Sequence, residues 1–315
     1  MSEGHRLWRL PEEGVEGGNT MHDIKIGTLV GAGDVKKNVP RLLPYGFESF
    51  SLTFWEGIHD HDLERLAEDT QAVLAGGDAR ISCLGIYANP LIDTEKGLAA
   101  RSSWEKLIKA ARLFGTDLVC GFAGRVLEVS MPESIPKFKE VFTPLAELAG
   151  KQGVRLAFEN CNMGGDWKQG DWNIAFNQQA WELMFEALPY ENIGLQWEPC
   201  HAMVQLIDPI SQLRKWAQKV FHVHGKDATI AWDVIKEYGI LGGTQFAWHR
   251  TPGFGDSNWT DIISILRMSG YKGNIDIEGW HDPVYRGEME YVGQVHGLNY
   301  LKNCRGGEWV PDLGK

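Results

Sequence analysis

The sequence predicts one α/β domain, a closed (β/α)8 barrel. Short β-like runs alternate with longer helical patterns along the chain. They number eight of each, and strict alternation of strand and helix implies a parallel sheet that closes at eight units. The 315 residues, 43% of them hydrophobic, can bury a large core, and barrels of roughly 200–250 residues or more form as one unit.

In chain order, the strands are expected at 24–30, 47–54, 80–87, 117–122, 154–160, 192–198, 220–225 and 274–278. Their helices are expected near 35–43, 60–75, 95–114, 133–151, 177–188, 208–218, 258–269 and 288–302. Pro132 and Pro209 fall where an early helical turn tolerates a missing N–H. Gly31-Ala32-Gly33 after the first strand reads as a turn. Lys36 replaces the third glycine of a dinucleotide-binding loop. One connection is long, from Lys226 to Trp259, and such a loop after the seventh strand caps or lines a site. The barrel is expected over 21–305, with an N-terminal extension at 1–20 and a tail at 306–315.

The last four strands alternate in an informative way, because successive side chains point to opposite faces. Val154, Leu156 and Phe158 are apolar against Arg155, Ala157 and Glu159. Ile193, Leu195 and Trp197 oppose Gly194, Gln196 and Glu198. Phe221 and Val223 oppose His222 and His224, and Ile275 and Ile277 oppose Asn274, Asp276 and Glu278. The apolar set must bury against the helices, which turns the polar set into the barrel. Unpaired buried charges cost several kcal/mol each, so something must compensate.

Glu159, Glu198, His224 and Glu278 each lie at the carboxyl end of a different strand, the end where barrels build active sites. Three carboxylates with one imidazole suit a divalent ion, Mn2+ foremost, with Co2+, Mg2+ or Zn2+ as alternatives. The competing reading is a set of buried ion pairs with Arg155 and Lys226. His222 is expected to support a ligand or touch substrate. Lys226 and Asp227 either bind substrate or pair with each other. Cys161 and Cys200, which flank two of the acids, are expected as buried small hydrophobes.

These residues, in the runs Glu159-Asn160-Cys161-Asn162-Met163-Gly164-Gly165, Gln196-Trp197-Glu198-Pro199-Cys200-His201, His222-Val223-His224-Gly225-Lys226-Asp227, Pro252-Gly253-Phe254-Gly255 and Ile275-Asp276-Ile277-Glu278, resemble the xylose-isomerase-like TIM barrel superfamily of sugar (phosphate) isomerases and epimerases. The resemblance covers roughly 22–303. It implies a metal held by Glu159, Glu198, His224 and Glu278, with His201 at the substrate. Glu198 stands where relatives usually have Asp. Gly165 and Ile230 stand where ketose 3-epimerases carry a glutamate and an arginine.

The implied chemistry is proton abstraction next to a carbonyl of a sugar or oxo-sugar, through a metal-stabilised enediolate, with Glu159, Glu278 and His201 as acid–base candidates. Returning the proton isomerises or epimerises; expelling a β-substituent makes the enzyme a lyase. The lyase alternative resembles the catalytic subunits of C-glycoside deglycosidases, which act on 3-oxo-glycosides with a small β subunit. Trp55, Trp167, Trp172, Trp232, Trp248 and Trp280, six of 13 tryptophans, are expected near the active face. Trp55 and Trp280 are the candidates for holding substrate. A non-catalytic sugar-binding barrel is the alternative of another class.

A net charge of −11 without a basic cluster argues against nucleic acid and against DNA-processing relatives on the same barrel. No apolar run reaches the ~20 residues that span a bilayer. Residues 1–20 lack the apolar core of a signal peptide. Five scattered cysteines make no disulfide framework. A cytoplasmic setting is expected, with a homo-oligomer or a hetero-oligomer containing a small β subunit.

Overall fold

The computed structural model describes residues 23–307. The proposed extension at 1–20 and all but two residues of the proposed tail lie outside them. Eight parallel strands close into a barrel: β1 (Lys25–Gly31), β2 (Ser49–Trp55), β3 (Arg80–Tyr87), β4 (Leu118–Gly121), β5 (Arg155–Glu159), β6 (Ile193–Trp197), β7 (Val220–Gly225) and β10 (Asn274–Ile277). β1 pairs with β10 on one side and β2 on the other, which leaves the barrel sheet without an edge.

The surrounding helices are α1 (Val35–Leu42), α2 (Leu63–Leu74), α3 (Glu95–Ala110), α4 (Ile135–Lys151), α5 (Gln178–Ala187), α7 (Pro209–Trp216), α9 (Trp259–Met268) and α10 (Glu290–Cys304). Their starts are chemically marked. The Asp62, Thr94, Asn177, Asp208 and Asn258 side chains accept hydrogen bonds from the first free N–H groups of α2, α3, α5, α7 and α9. Gly31-Ala32-Gly33 leads into a single 3-10 turn, Ala32–Asp34.

The stretch after β7 is more ordered than a loop. Asp227 opens β8 (Asp227–Ile230), which pairs antiparallel with β9 (Ala247–Arg250), and α8 (Trp232–Tyr238) lies between them. β8 and β9 are four residues each, too short to show a hydrophobic period. A five-residue helix, α6 (Pro199–Met203), also follows β6 directly. Among the described residues no helix is long and apolar enough to cross a membrane.

The core is split by the pleat. Outward side chains of the strands meet the helices: Phe158 packs edge-on against Phe142 at 4.8 Å and against Phe138 at 5.3 Å. The inward side chains of β5, β6, β7 and β10 are the polar set of the sequence, and all of them but Arg155, at the start of β5, are buried. The barrel interior therefore holds hydrogen-bonded layers where many barrels hold branched apolar ones.

Candidate active site

At the carboxyl ends of four neighbouring strands, β5, β6, β7 and β10, the side chains of Glu159, Glu198, His224 and Glu278 converge. One ligand-type atom from each lies within 4.8 Å of the others. Glu159 and Glu278 occupy the outer strands of the four. All four residues are buried. His224 Nδ1 is 3.1 Å from Glu278 Oε2 and 3.9 Å from Glu159 Oε1.

Local sequence explains the placement. Glu198 ends β6, and Pro199 takes the first position of α6, where its missing N–H costs nothing. The helical turn brings His201 back over Glu198, with Nε2 2.6 Å from Oε1. The Asn160 side chain grips the Glu198 backbone from both sides, donating to its carbonyl at 2.9 Å and accepting from its N–H at 2.8 Å. Asn173 does the same for the end of β5, donating to the carbonyls of Glu159 and Cys161.

Lys226 contacts Glu278 Oε1 at 2.7 Å, so the ion-pair reading holds for this one acid. Arg155 plays no part in the site. It pairs with Asp117 at 2.9 Å, half exposed. The expected Lys226–Asp227 pair is absent. Asp227 is turned away and accepts from Ser257 N–H and the Trp259 indole. His222 also differs from expectation as a substrate contact. It sits below the cavity floor, 2.7 Å from Asp276 and 3.1 Å from Gln196.

The charges are unevenly held. Burial, then the charges of Glu198 and Glu278, push the Glu159 carboxyl well up. Burial also works to raise Glu278, but the Lys226 ammonium outweighs it and holds that carboxyl at about 2. Glu198 is held well down against its burial by His201 and Lys226. Glu198 Oε1 and His201 Nε2 meet only each other, and Glu198 Oε2, His201 Nδ1 and His224 Nδ1 are buried without an aligned hydrogen-bond partner. Leaving such atoms unmet is costly. Three carboxylates and an imidazole that converge, with Glu198 and His224 atoms left unmet, have the donor set of a divalent-cation site, and Glu159, Glu198, His224 and Glu278 could hold it.

Above the cluster lies a cavity of about 580 Å3. Trp55 and Trp280 line it, both about half exposed, with Tyr87, Phe122, His201 and Lys226. Trp172 stacks on Trp55 at 5.6 Å. Trp167 instead packs edge-on against Phe176. Trp232 and Trp248 sit on α8 and β9 and are not part of the cavity wall. Cys161 lines the cavity, whereas Cys200 is fully buried beside Met203 and Ala228. His249 on β9 and His281 complete the wall. Burial, then the Lys226 ammonium, depress the His249 imidazole to about 3, so it stands neutral. Neither histidine was expected from the sequence, because no recognisable spacing ties them to the four acceptor strands.

Residues 41–304 match the family described as "Xylose isomerase-like TIM barrel". The chain belongs to this family. An inosose dehydratase of Clostridium tetani is 30% identical over 105 residues, covering 32% of this chain and 35% of that protein. The chain thus spans about a third of that relative's length. The crystal structure of a 3-keto-D-glucoside 4-epimerase, YcjR, from E. coli superposes with a TM-score of 0.67 at 16% identity, covering 89% of this chain and all of the other. An IolI protein solved with a bound zinc atom gives 0.60 at 16% identity over 89% and 96% of the two chains. At this identity the two structures share the fold.

Proposed function

We propose that the chain is a divalent-metal-dependent enzyme that removes a proton next to a carbonyl of a sugar or oxo-sugar. The observation that carries this is the set of orphaned buried atoms of Glu198, His201 and His224 at the mouth of four adjacent strands. A divalent ion, when bound, would supply Lewis-acid polarisation of a carbonyl oxygen. The rest falls to the chain. Glu278 stands ionised beside Lys226, the unprotonated state that accepting a proton requires. Glu159 lies on the far strand of the four and keeps its proton more readily, so it is suited to return one. Two carboxyls driven apart in this way form an acid–base pair. His201 reaches the same space and can shuttle a proton.

Protein purified without chelator is expected to carry about one divalent ion per chain by elemental analysis. Absence of metal together with activity indifferent to EDTA would reject the reading. Glu278→Gln is expected to lower turnover by about 10²-fold or more while the circular dichroism spectrum is kept. Turnover close to wild type would remove Glu278 from the assignment.

A second reading is elimination of a β-substituent from a 3-oxo-glycoside. Its support is the roomy cavity walled by Trp55 and Trp280, which suits a flat aglycone. Incubation with free ketoses and with 3-oxo-glucosides bearing an aromatic aglycone separates the two by product: an epimer or isomer against a released aglycone. Co-purification of a small β-rich protein would favour the lyase.

A further inference from the structure

Beside the cavity over the carboxylate cluster lies a smaller chamber that the proposed chemistry does not use. It holds about 290 Å3 and is walled by the carboxyl ends of β1 and β2, by α1 and by α10. Leu29, Thr53, Trp55 and Trp280 line both spaces, so the chamber is a side branch of the cavity. The two tryptophans, each about half exposed, are walls common to both.

The polar lining of the chamber is biased toward acceptors. Asp34 directly precedes α1, yet its carboxylate does not cap that helix. Asn38 lies one helical turn further on, on the same side of α1. Its Oδ1 is buried and meets no donor among the described residues. From α10 comes Glu290, whose Oε1 accepts from Gln294 Nε2 at 3.0 Å. Gln294 is itself anchored on β1, accepting from Thr28 Oγ1 at 2.8 Å. A carboxylate has about four acceptor sites, so this contact steadies Glu290 and leaves others open. Among the described residues no lysine or arginine lines the chamber.

We propose that this chamber is a second sugar subsite, and that the substrate is an uncharged glycoside of at least two units. The reacting ring lies over the four-strand cluster, and the hydroxyls of the next ring donate to Asp34, Asn38 and Glu290. The proposal rests on the reading of the cluster as the place where the reacting sugar sits. The chemistry of the lining selects this class. Two carboxylates without a cation repel a phosphate or a second carboxylate. Hydroxyl groups bring the donors that the lining lacks, and one of them relieves the cost of leaving Asn38 Oδ1 unmet. The indole faces of Trp55 and Trp280 offer apolar surface to the C–H side of a sugar where the two spaces join. A single free ketose would fill the cavity over the cluster and leave the branch unused.

The test is equilibrium binding to the full-length protein, purified without chelator, by titration calorimetry. The probes are D-glucose, D-glucose 6-phosphate and the glucose disaccharides trehalose, maltose, cellobiose and gentiobiose, which differ in linkage. At least one disaccharide is expected to bind about 10-fold or more tightly than glucose, and glucose 6-phosphate no more tightly than glucose. Asn38→Leu and Glu290→Gln are each expected to cut the ratio of disaccharide to glucose affinity by about 5-fold or more, with the circular dichroism spectrum kept. Disaccharides that all bind no better than glucose would overturn the subsite and leave the functional reading standing. So would a ratio that both variants keep in full, or a gain of about 10-fold for glucose 6-phosphate over glucose. A protein that binds none of these sugars would overturn the functional reading and the subsite with it.

Discussion

Gly27 has no room for a methyl group. A Cβ there would stand 2.1 Å from Asp276 Oδ1 and 2.2 Å from the Ser49 carbonyl oxygen. The first is a buried acid that Ser49, Ser82 and His222 already surround, and the second is backbone. Neither can move cheaply. Gly27→Ala is expected to destabilise the fold by about 1–3 kcal/mol, seen as a lower urea midpoint at unchanged slope. A midpoint equal to wild type would show that the layer under the site yields. Single residues were unequally readable in the sequence. Glu159, Glu198, His224 and Glu278 stood out because each closes an alternating strand whose parity has one solution. Tyr87 and Gln196 did not, since their meeting spans 109 positions in the chain. A tyrosine ending a strand carries no local mark of its partner.

At the scale of elements, the strands and the main helices were legible because period-2 and period-3.6 burial are written in every turn. α6, α8 and the β8–β9 hairpin were not, because four to seven residues give too little periodicity. The lining segment after β5 is fixed by another signal invisible in sequence. Arg125 is completely buried and has no carboxylate partner among the described residues. Its guanidinium donates to the carbonyls of Asp166 at 2.5 Å, Val129 at 3.2 Å and Trp167 at 3.5 Å. One side chain thereby ties the stretch after β4 to the segment running from Cys161 to Asp171, which supplies Cys161, Asn162, Met163 and Gly164 to the cavity. Arg125→Met would leave these acceptors unmet at about 1–3 kcal/mol apiece. Amide exchange across 161–171 is expected to speed up, while the strands stay protected. Unchanged exchange there would mean that the segment holds itself.

At the scale of the whole molecule, the barrel must be closed at its amino-terminal rim as well as at its mouth. Arg305, just past α10, reaches back under the first two strands. Its Nη1 donates to the Ile24 carbonyl at 2.7 Å and to Glu48 Oε2 at 2.6 Å, and Nη2 donates to Glu48 Oε1 at 3.0 Å. Glu48 in turn accepts from the Ile26 N–H at 2.8 Å. One end of the described chain is so buckled to the other through a largely buried ion pair. Burial alone would raise the Glu48 carboxyl, but the Arg305 hydrogen bonds and the Ile26 N–H outweigh it and hold it below the ordinary 4.5. A carboxyl lowered in the folded state binds protons less readily than in the unfolded chain. Its contribution is therefore present above 4.5 and is lost as pH falls through the lower folded value. Thermal midpoints measured between about pH 6 and about pH 3 should fall on the acid side. In Glu48→Gln the midpoint should already be lower at about pH 6, and the gap to wild type should narrow toward about pH 3. A gap that stays constant across that range would show that Glu48 acts through packing rather than charge.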